Sequence, residues 1–220
     1  MSDLVFEPRS LNSGPTSRQF FEQKYRASPD PWSFETNDYE LRRYAIILEH
    51  IEAGRFDSVF EPGCSIGVLT EQLAARCGRV LAVDIAPTAV VAARRRCADH
   101  DNVTIEHGAL PHALASGPFD LIVFSEIGYY FSEHELAVLV ERMSRRLSAG
   151  GSLIAAHWTG RSNDHVLTGR QVHAFLHEHL EMEHVAHVDH SADDDVAAAR
   201  TDGFVLDMWT AANATGKPIP

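Results

Sequence analysis

The sequence predicts a doubly wound α/β fold, with a mostly parallel, seven-stranded sheet and an antiparallel edge strand. Three observations predict it. Short apolar runs bounded by Gly, Pro or Asp alternate with stretches of helical periodicity. A loop with two glycines, FEPGCSIGVLT (Phe60 to Thr70), joins the first run to the first helix of that series. An acidic residue, Asp84, ends the second run. Such alternation buries a parallel sheet between helical layers and sets ligands at the carboxyl ends of the strands.

Each element has its own signature. Residues 1 to about 18 are polar, carry Pro8, Gly14 and Pro15, and are expected to form a loosely docked arm. A helical pattern runs from Arg18 to Tyr25 and is broken by SPDPW, Ser28 to Trp32. YELRRYAIILEHI, Tyr39 to Ile51, is an amphipathic helix ended near Gly54. Residues 1–54 thus read as an arm and helical lid, and 55–220 as the core.

Within the core, strands are expected over Ser58 to Glu61, Arg79 to Asp84, Val103 to His107, Phe119 to Ser125 and Gly151 to His157. Helices fall between them at Val68 to Arg76, Pro87 to Ala98 and Glu133 to Leu147. Pro87 suits a first turn, where its missing N–H has no helical partner. A further helix, Thr168 to Leu180, precedes two strand-like runs, Glu183 to Val188 and Phe204 to Trp209. An acidic turn, Asp193-Asp194-Asp195, separates these runs, which supply the antiparallel edge.

Composition narrows the partners. A net charge of −12 without a basic stripe argues against nucleic acid. No apolar run reaches the length of a membrane span, and the N-terminus lacks a signal-peptide pattern. Cys64, Cys77 and Cys97 form no CxxC pair and read as buried, so a reduced, cytoplasmic protein is expected. The oligomeric state is not legible.

The glycine loop carries the chemistry. Gly63 and Gly67 can take positive φ and let a ligand lie against bare backbone. A nicotinamide fingerprint needs a third glycine three residues after the second, with a pyrophosphate on the helix N-terminus. Here the spacing is G-x-x-x-G with Ser65 in the middle. Glu61, two residues before the first glycine, repels a pyrophosphate and attracts an ammonium or sulfonium. Asp84 can accept both hydroxyls of a ribose. A ribose, a cation and no phosphate describe S-adenosylmethionine.

FEPGCSIGVLT, RVLAVDIAP, FDLIVFSEIGYYF and LSAGGSLIAAHW together resemble the successive motifs of class I S-adenosylmethionine-dependent methyltransferases, over about residues 55 to 160. The upstream segment DPWSFETNDYELRRY resembles the nodulation-protein-S type, which N-methylates an amino sugar of a lipo-chitooligosaccharide. The resemblance implies a Rossmann-like fold, S-adenosylmethionine as cofactor, and a small-molecule acceptor. It further implies that Trp32 and Arg43 help close the cofactor site, Arg43 or Arg42 reaching the cofactor carboxylate. Two departures stand out: Ser65 replaces the middle loop glycine, and Ala109 replaces an acidic residue that reads the adenine amino group. The base is then left to backbone near Ala109 and to Leu110.

The candidate cofactor residues are Trp32, Arg43, Glu61, Gly63, Cys64, Gly67, Asp84, Ile85, Ala109, Leu110, Ser125 and Glu126. The candidate catalytic residues are His157, Glu126 and Tyr130, each at or just beyond a strand end. Tyr129 and Tyr130 can wall the acceptor site, with His157 and Trp158 expected on the same side.

Thirteen histidines raise the question of a metal. His173 and His177 share a helix face, but His184, His187 and His190 recur at a spacing of three, which keeps no single face of a regular strand. No acidic or Cys partner completes a ligand set in the sequence, so no metal is expected. The reading is therefore methyl transfer to a small acceptor, with an amine nitrogen favoured. O-methyl transfer and a non-catalytic cofactor-binding module are the alternatives. A nicotinamide-dependent oxidoreductase is disfavoured by Glu61 and the missing third glycine.

Overall fold

The structure, a computed structural model, describes residues 17–111, 113–190 and 203–213. The expected arm and the acidic turn Asp193-Asp194-Asp195 lie outside the described residues, apart from the arm's last two positions.

Two helices come first, α1 (Arg18–Ala27) and α2 (Asp38–Glu49). The core then runs β1 (Ser58–Pro62), α3 (Val68–Ala74), β2 (Arg79–Asp84), α4 (Pro87–Arg96), β3 (Val103–His107), β4 (Phe119–Ser125), α5 (Glu133–Ser144) and β5 (Leu147–Trp158). It closes with α6 (Gly169–His179), β6 (Glu183–His190) and β7 (Phe204–Thr210). A single 3-10 turn, Gly128–Tyr130, links β4 to α5.

The seven strands form one sheet in the order β3-β2-β1-β4-β5-β7-β6. The first five strands are parallel where they pair, and β7 runs antiparallel between β5 and β6. The antiparallel edge is thus a β6–β7 pair added beyond β5. A strand order that reverses between β1 and β4 opens a crevice at their carboxyl ends.

Alternation along β7 shows how the strands serve two layers. Phe204, Leu206 and Met208 join the core that includes α2 and α3, with Ile47, Ile51, Val59 and Leu73. Trp209 joins the opposite core, with Leu136, Leu139, Val172 and Leu176 from α5 and α6. Asp207 shares the Trp209 face and is fully buried. The helices begin where side chains satisfy free backbone donors. Ser132 with Glu135 and Thr168 with Gln171 form reciprocal capping boxes at α5 and α6.

Several boundaries shift. α3 and α5 end short of the expected Arg76 and Leu147, and β5 begins at Leu147 rather than Gly151 because Leu147 already pairs with Phe119. Gly150, at φ 76°, absorbs the irregularity in that longer strand.

Candidate active site

At the carboxyl ends of β1, β2 and β4 lies a cavity of about 560 Å³. Its floor is the β1–α3 loop. Gly63 (φ 81°), Ser65 (φ 53°) and Gly67 (φ 82°) all take positive φ. A Cβ on Gly63 would stand 2.5 Å from Ile127 Cγ2, and one on Gly67 would stand 3.1 Å from Ala93. The loop therefore needs glycine at both positions, once for the turn itself and once for close packing. Val83 O accepts from the N–H groups of Gly63 and Cys64 at 2.7 and 3.0 Å, folding the loop onto the end of β2.

Asp84 completes this junction. Its Oδ2 accepts from Ser65 N–H and its Oδ1 from Ala86 N–H, both at 2.8 Å. The carboxylate lines the cavity, and each oxygen keeps a lone pair for a further donor. Burial pushes its pKa up to about 6, against the lowering effect of the two backbone bonds.

The roof comes from the N-terminal helices. Phe21, Tyr25, Trp32 and Phe34 line the cavity as a run of packed rings, and Phe21 meets Tyr130 edge-on at 5.0 Å. Tyr25 Oη donates to Ser65 Oγ at 2.5 Å, so the residue in place of the usual middle glycine ties the roof to the floor. Glu22 accepts from Thr88 N–H and Oγ1 at 3.0 and 2.7 Å, fastening α1 to the first turn of α4.

Arg43 sits at the hub behind the wall, 1% exposed. It pairs with Glu40 and, at 2.8 Å, with Glu126. Glu126, at φ 59°, accepts from Trp158 N–H through Oε1 and from Tyr129 Oη through Oε2. Its oxygens are thus committed to holding α2, β5 and the 3-10 turn together. Arg43 Nε is buried without a hydrogen-bond partner, and the Arg43 side chain borders a small side chamber of about 30 Å³ shared with Glu61 and Cys64. Glu61 accepts from Thr70 Oγ1 at 2.6 Å, and burial pushes its pKa up to about 7.

Of the sequence-predicted residues, Trp32, Gly63, Asp84, Ile85, Leu110, Ser125, Glu126 and Tyr130 line the main cavity. Arg43, Glu61 and Cys64 lie one layer back, on the side chamber. Gly67 caps α3, and Ala109 gives place on the cavity wall to its neighbours Gly108 and Leu110. His157 is a correction. It is fully buried, its Nε2 accepts from Gly128 N–H at 3.0 Å, and its Nδ1 meets His173 Nε2 at 3.1 Å. Burial and the neighbouring His173 hold it neutral, with both nitrogens occupied, so it has no free nitrogen to offer an acceptor. Trp158 likewise stands outside the residues that line the cavity. Burial also raises the phenols of Tyr129 and Tyr130, which makes both donors and not bases near neutral pH.

Sequence reasoning missed Arg18, Phe21, Tyr25, Glu40 and Glu135, all on the cavity wall. The i, i+3, i+7 spacing of Arg18, Phe21 and Tyr25 was the available signal for one shared helix face.

The residues fit an adenosyl cofactor bearing a cationic centre. Asp84 offers two charged acceptors beside a glycine cradle, a chemistry suited to a ribose diol. The unpartnered Arg43 N–H, on a side chain that borders the side chamber, has the chemistry to hold a carboxylate. The cavity volume falls within the range of small-molecule sites.

Residues 14–201 match the family model for nodulation protein S. The nodulation protein S of Rhizobium tropici is 32% identical over 130 residues, which are 58% of this chain and 55% of that protein. The chain thus spans only about half the length of that relative. A solved structure of the N-methyltransferase NodS from Bradyrhizobium japonicum WM9 with S-adenosyl-L-homocysteine superposes with a TM-score of 0.78 at 24% identity, over 90% of this chain and 99% of that one. A Pseudomonas syringae protein provisionally assigned as a methyltransferase is 34% identical, with a TM-score of 0.65, over 79% of this chain and 99% of its own.

Proposed function

The chain belongs to the nodulation protein S family, and from that premise we propose that it transfers a methyl group from S-adenosylmethionine to an amine nitrogen of a small, cationic acceptor, as on an amino sugar. When bound, the cofactor supplies an electrophilic methyl on a sulfonium. The chain's own residues do the rest. Asp84 and the Gly63–Gly67 loop would hold the nucleoside part, and Arg43 would serve a carboxylate. The edge-on and tilted ring cluster of Trp32, Phe21 and Tyr130 shields the cavity from water and offers π faces to positive charge. Positioning under this roof supplies much of the rate, because methyl transfer needs in-line approach more than proton chemistry.

The observation that carries the amine reading is the charge of the wall. Glu40, Asp84, Glu126 and Glu135 line the cavity against Arg18 alone, and counting Arg43 behind them still leaves four carboxylates against two guanidiniums. No described histidine lines the cavity. An alcohol needs a base as it attacks, whereas an amine need only be neutral. A carboxylate-rich wall attracts an ammonium, and the neutral amine in equilibrium with it is the nucleophile. Three buried, unpaired cysteines fit a reducing compartment, and no described helix is long and apolar enough to cross a membrane.

The test is a methyl-transfer assay with amino sugars and simple amines beside matched alcohols. Production of S-adenosylhomocysteine with amines alone supports the reading. Turnover with alcohols alone moves it to O-methyl transfer. Cofactor binding without turnover on any acceptor moves it to a non-catalytic module.

A further inference from the structure

On the side of the sheet away from the cavity roof, α6, β6 and β7 bring four potential ligands together. His177 stands on α6, His184 and His187 on β6, and Asp207 on β7. Their ligating atoms all lie within 4.8 Å of one another. Asp207 Oδ1 is 2.7 Å from His184 Nε2, 2.7 Å from His187 Nδ1 and 3.3 Å from His177 Nε2. The spacing of His184 and His187 would put them on opposite faces of a regular strand. A register shift between His184 and Ala186 inserts one extra residue and returns both imidazoles to the same face. β7 then supplies, directly opposite His187, the acidic partner that the sequence alone did not offer.

We propose that His177, His184, His187 and Asp207 form a binding site for a zinc-class divalent ion. Three imidazoles and one carboxylate oxygen are a four-coordinate set of the borderline donors that such ions select over magnesium or calcium. At metal–ligand distances near 2.0–2.1 Å, a tetrahedral site has edges of about 3.3 Å. The present spacings bracket that value, so side-chain rotation suffices. His184, His187 and His177 are 36%, 50% and 41% exposed, which gives an ion a path from solvent.

The surroundings are those of a built site. Asp207 is fully buried, and its second oxygen, Oδ2, accepts from His173 Nδ1 at 2.5 Å. A ligating carboxylate oriented by an outer hydrogen bond is the usual support for a metal. In the ion-free protein His184 and His187 donate to Oδ1. On binding, each ring proton moves to the other ring nitrogen, and the freed lone pairs and Oδ1 turn to the ion. Four protein ligands close the coordination sphere, which is the pattern of a structural site. The element that gains is β6, the outermost strand, which among the described residues pairs only with β7 and leaves Val185 exposed. An ion there rivets the sheet edge to α6.

Zinc chloride, cobalt chloride and magnesium chloride, each added to chelator-treated protein, provide the test. Equilibrium dialysis with metal analysis is expected to give one zinc per chain and no retained magnesium. Cobalt is expected to give the intense visible bands of a four-coordinate site. Zinc at about 100 times its dissociation constant is expected to raise the melting temperature by about 5–10 °C. His184→Ala/His187→Ala, which removes two half-exposed ligands, is expected to weaken zinc binding by more than about 100-fold, beyond the loss of an outer-shell partner. His177→Ala, tested separately, is expected to weaken it on a different element, with far-UV circular dichroism confirming the fold of both. Absence of saturable one-to-one zinc binding, or affinities within threefold of wild type in both variants, overturns the proposal.

Discussion

Replacing Asp84 tests the cofactor site most directly, and the structure sets the size of the effect. Its two oxygens hold the N–H groups of Ser65 and Ala86 and keep lone pairs toward the cavity. Two ribose hydroxyls bonded to a charged acceptor contribute about 1.5–3 kcal/mol each. Water recovers part of this in Asp84→Ala, leaving a loss of about 2–4 kcal/mol, or roughly 30- to 1,000-fold in affinity. Stability should change little. The variant leaves two backbone N–H groups without their acceptor, at about 1–3 kcal/mol each. It also removes a carboxylate that burial moves from 3.8 to about 6, which makes the ionised group about 3 kcal/mol costly at neutral pH. The terms largely cancel, so the protein should fold. Asp84→Asn keeps one acceptor oxygen, loses one backbone bond whichever way its amide points, and should fall between. Calorimetric titration with S-adenosylhomocysteine at pH 7.5 measures the difference. Wild-type affinity in a folded Asp84→Ala variant would refute the ribose assignment.

Other expectations follow from the same geometry. Glu61 and Asp84 have raised pKa values in the fold, so each binds more protons in the folded state than in the unfolded one between about pH 4 and 7. Their contribution to ligand-free stability should therefore fall as pH rises through that window, while the neutral-held His157 and His173 act in the opposite direction; the change in urea stability from pH 5 to pH 8 should accordingly shift toward stabilisation in Glu61→Gln relative to wild type. Tyr25→Phe removes the 2.5 Å bond to Ser65 and should weaken S-adenosylhomocysteine binding several-fold, consistent with about 0.5–1.5 kcal/mol for one hydrogen bond. Hydrogen exchange over residues 20–44 should slow when S-adenosylhomocysteine saturates the protein, and unchanged exchange would remove the lid role. His157→Ala should lower stability by about 2–4 kcal/mol in chemical denaturation, through a new cavity and an orphaned Gly128 N–H; a fully stable variant with lost methyl transfer would return His157 to the chemistry.

Most of the sheet was legible because parallel strands buried on both faces leave continuous apolar runs, as in Phe119 to Ser125. The glycine loop and Asp84 were legible because their backbone geometry and charge admit few residue types. Features that depend on contact between distant elements were not. Burial of His157 follows from α6 crossing β5 and presenting His173, which no local pattern announces. Convergence of His184 and His187 depends on a one-residue bulge, and sequence periodicity assumes regular strands. Glu126 reads as a free strand-end acid until Arg43, Tyr129 and Trp158 are seen to occupy it.

The roof also bears on how the protein is handled at the bench. α1 holds its place through the hydroxyl pair of Tyr25 with Ser65, the carboxylate clasp of Glu22 with Thr88 and the ion pair of Lys24 with Asp164, together with the rings of Phe21 and Trp32. An affinity tag or fusion partner placed ahead of Ser17 is therefore attached to a wall of the reaction chamber and not to an inert end. Trimming the chain to begin at α2 would keep the core that Ile47 and Ile51 complete and leave the chamber without Phe21, Tyr25, Trp32 and Phe34. Turnover numbers from differently tagged preparations should be compared only after the tag has been cleaved.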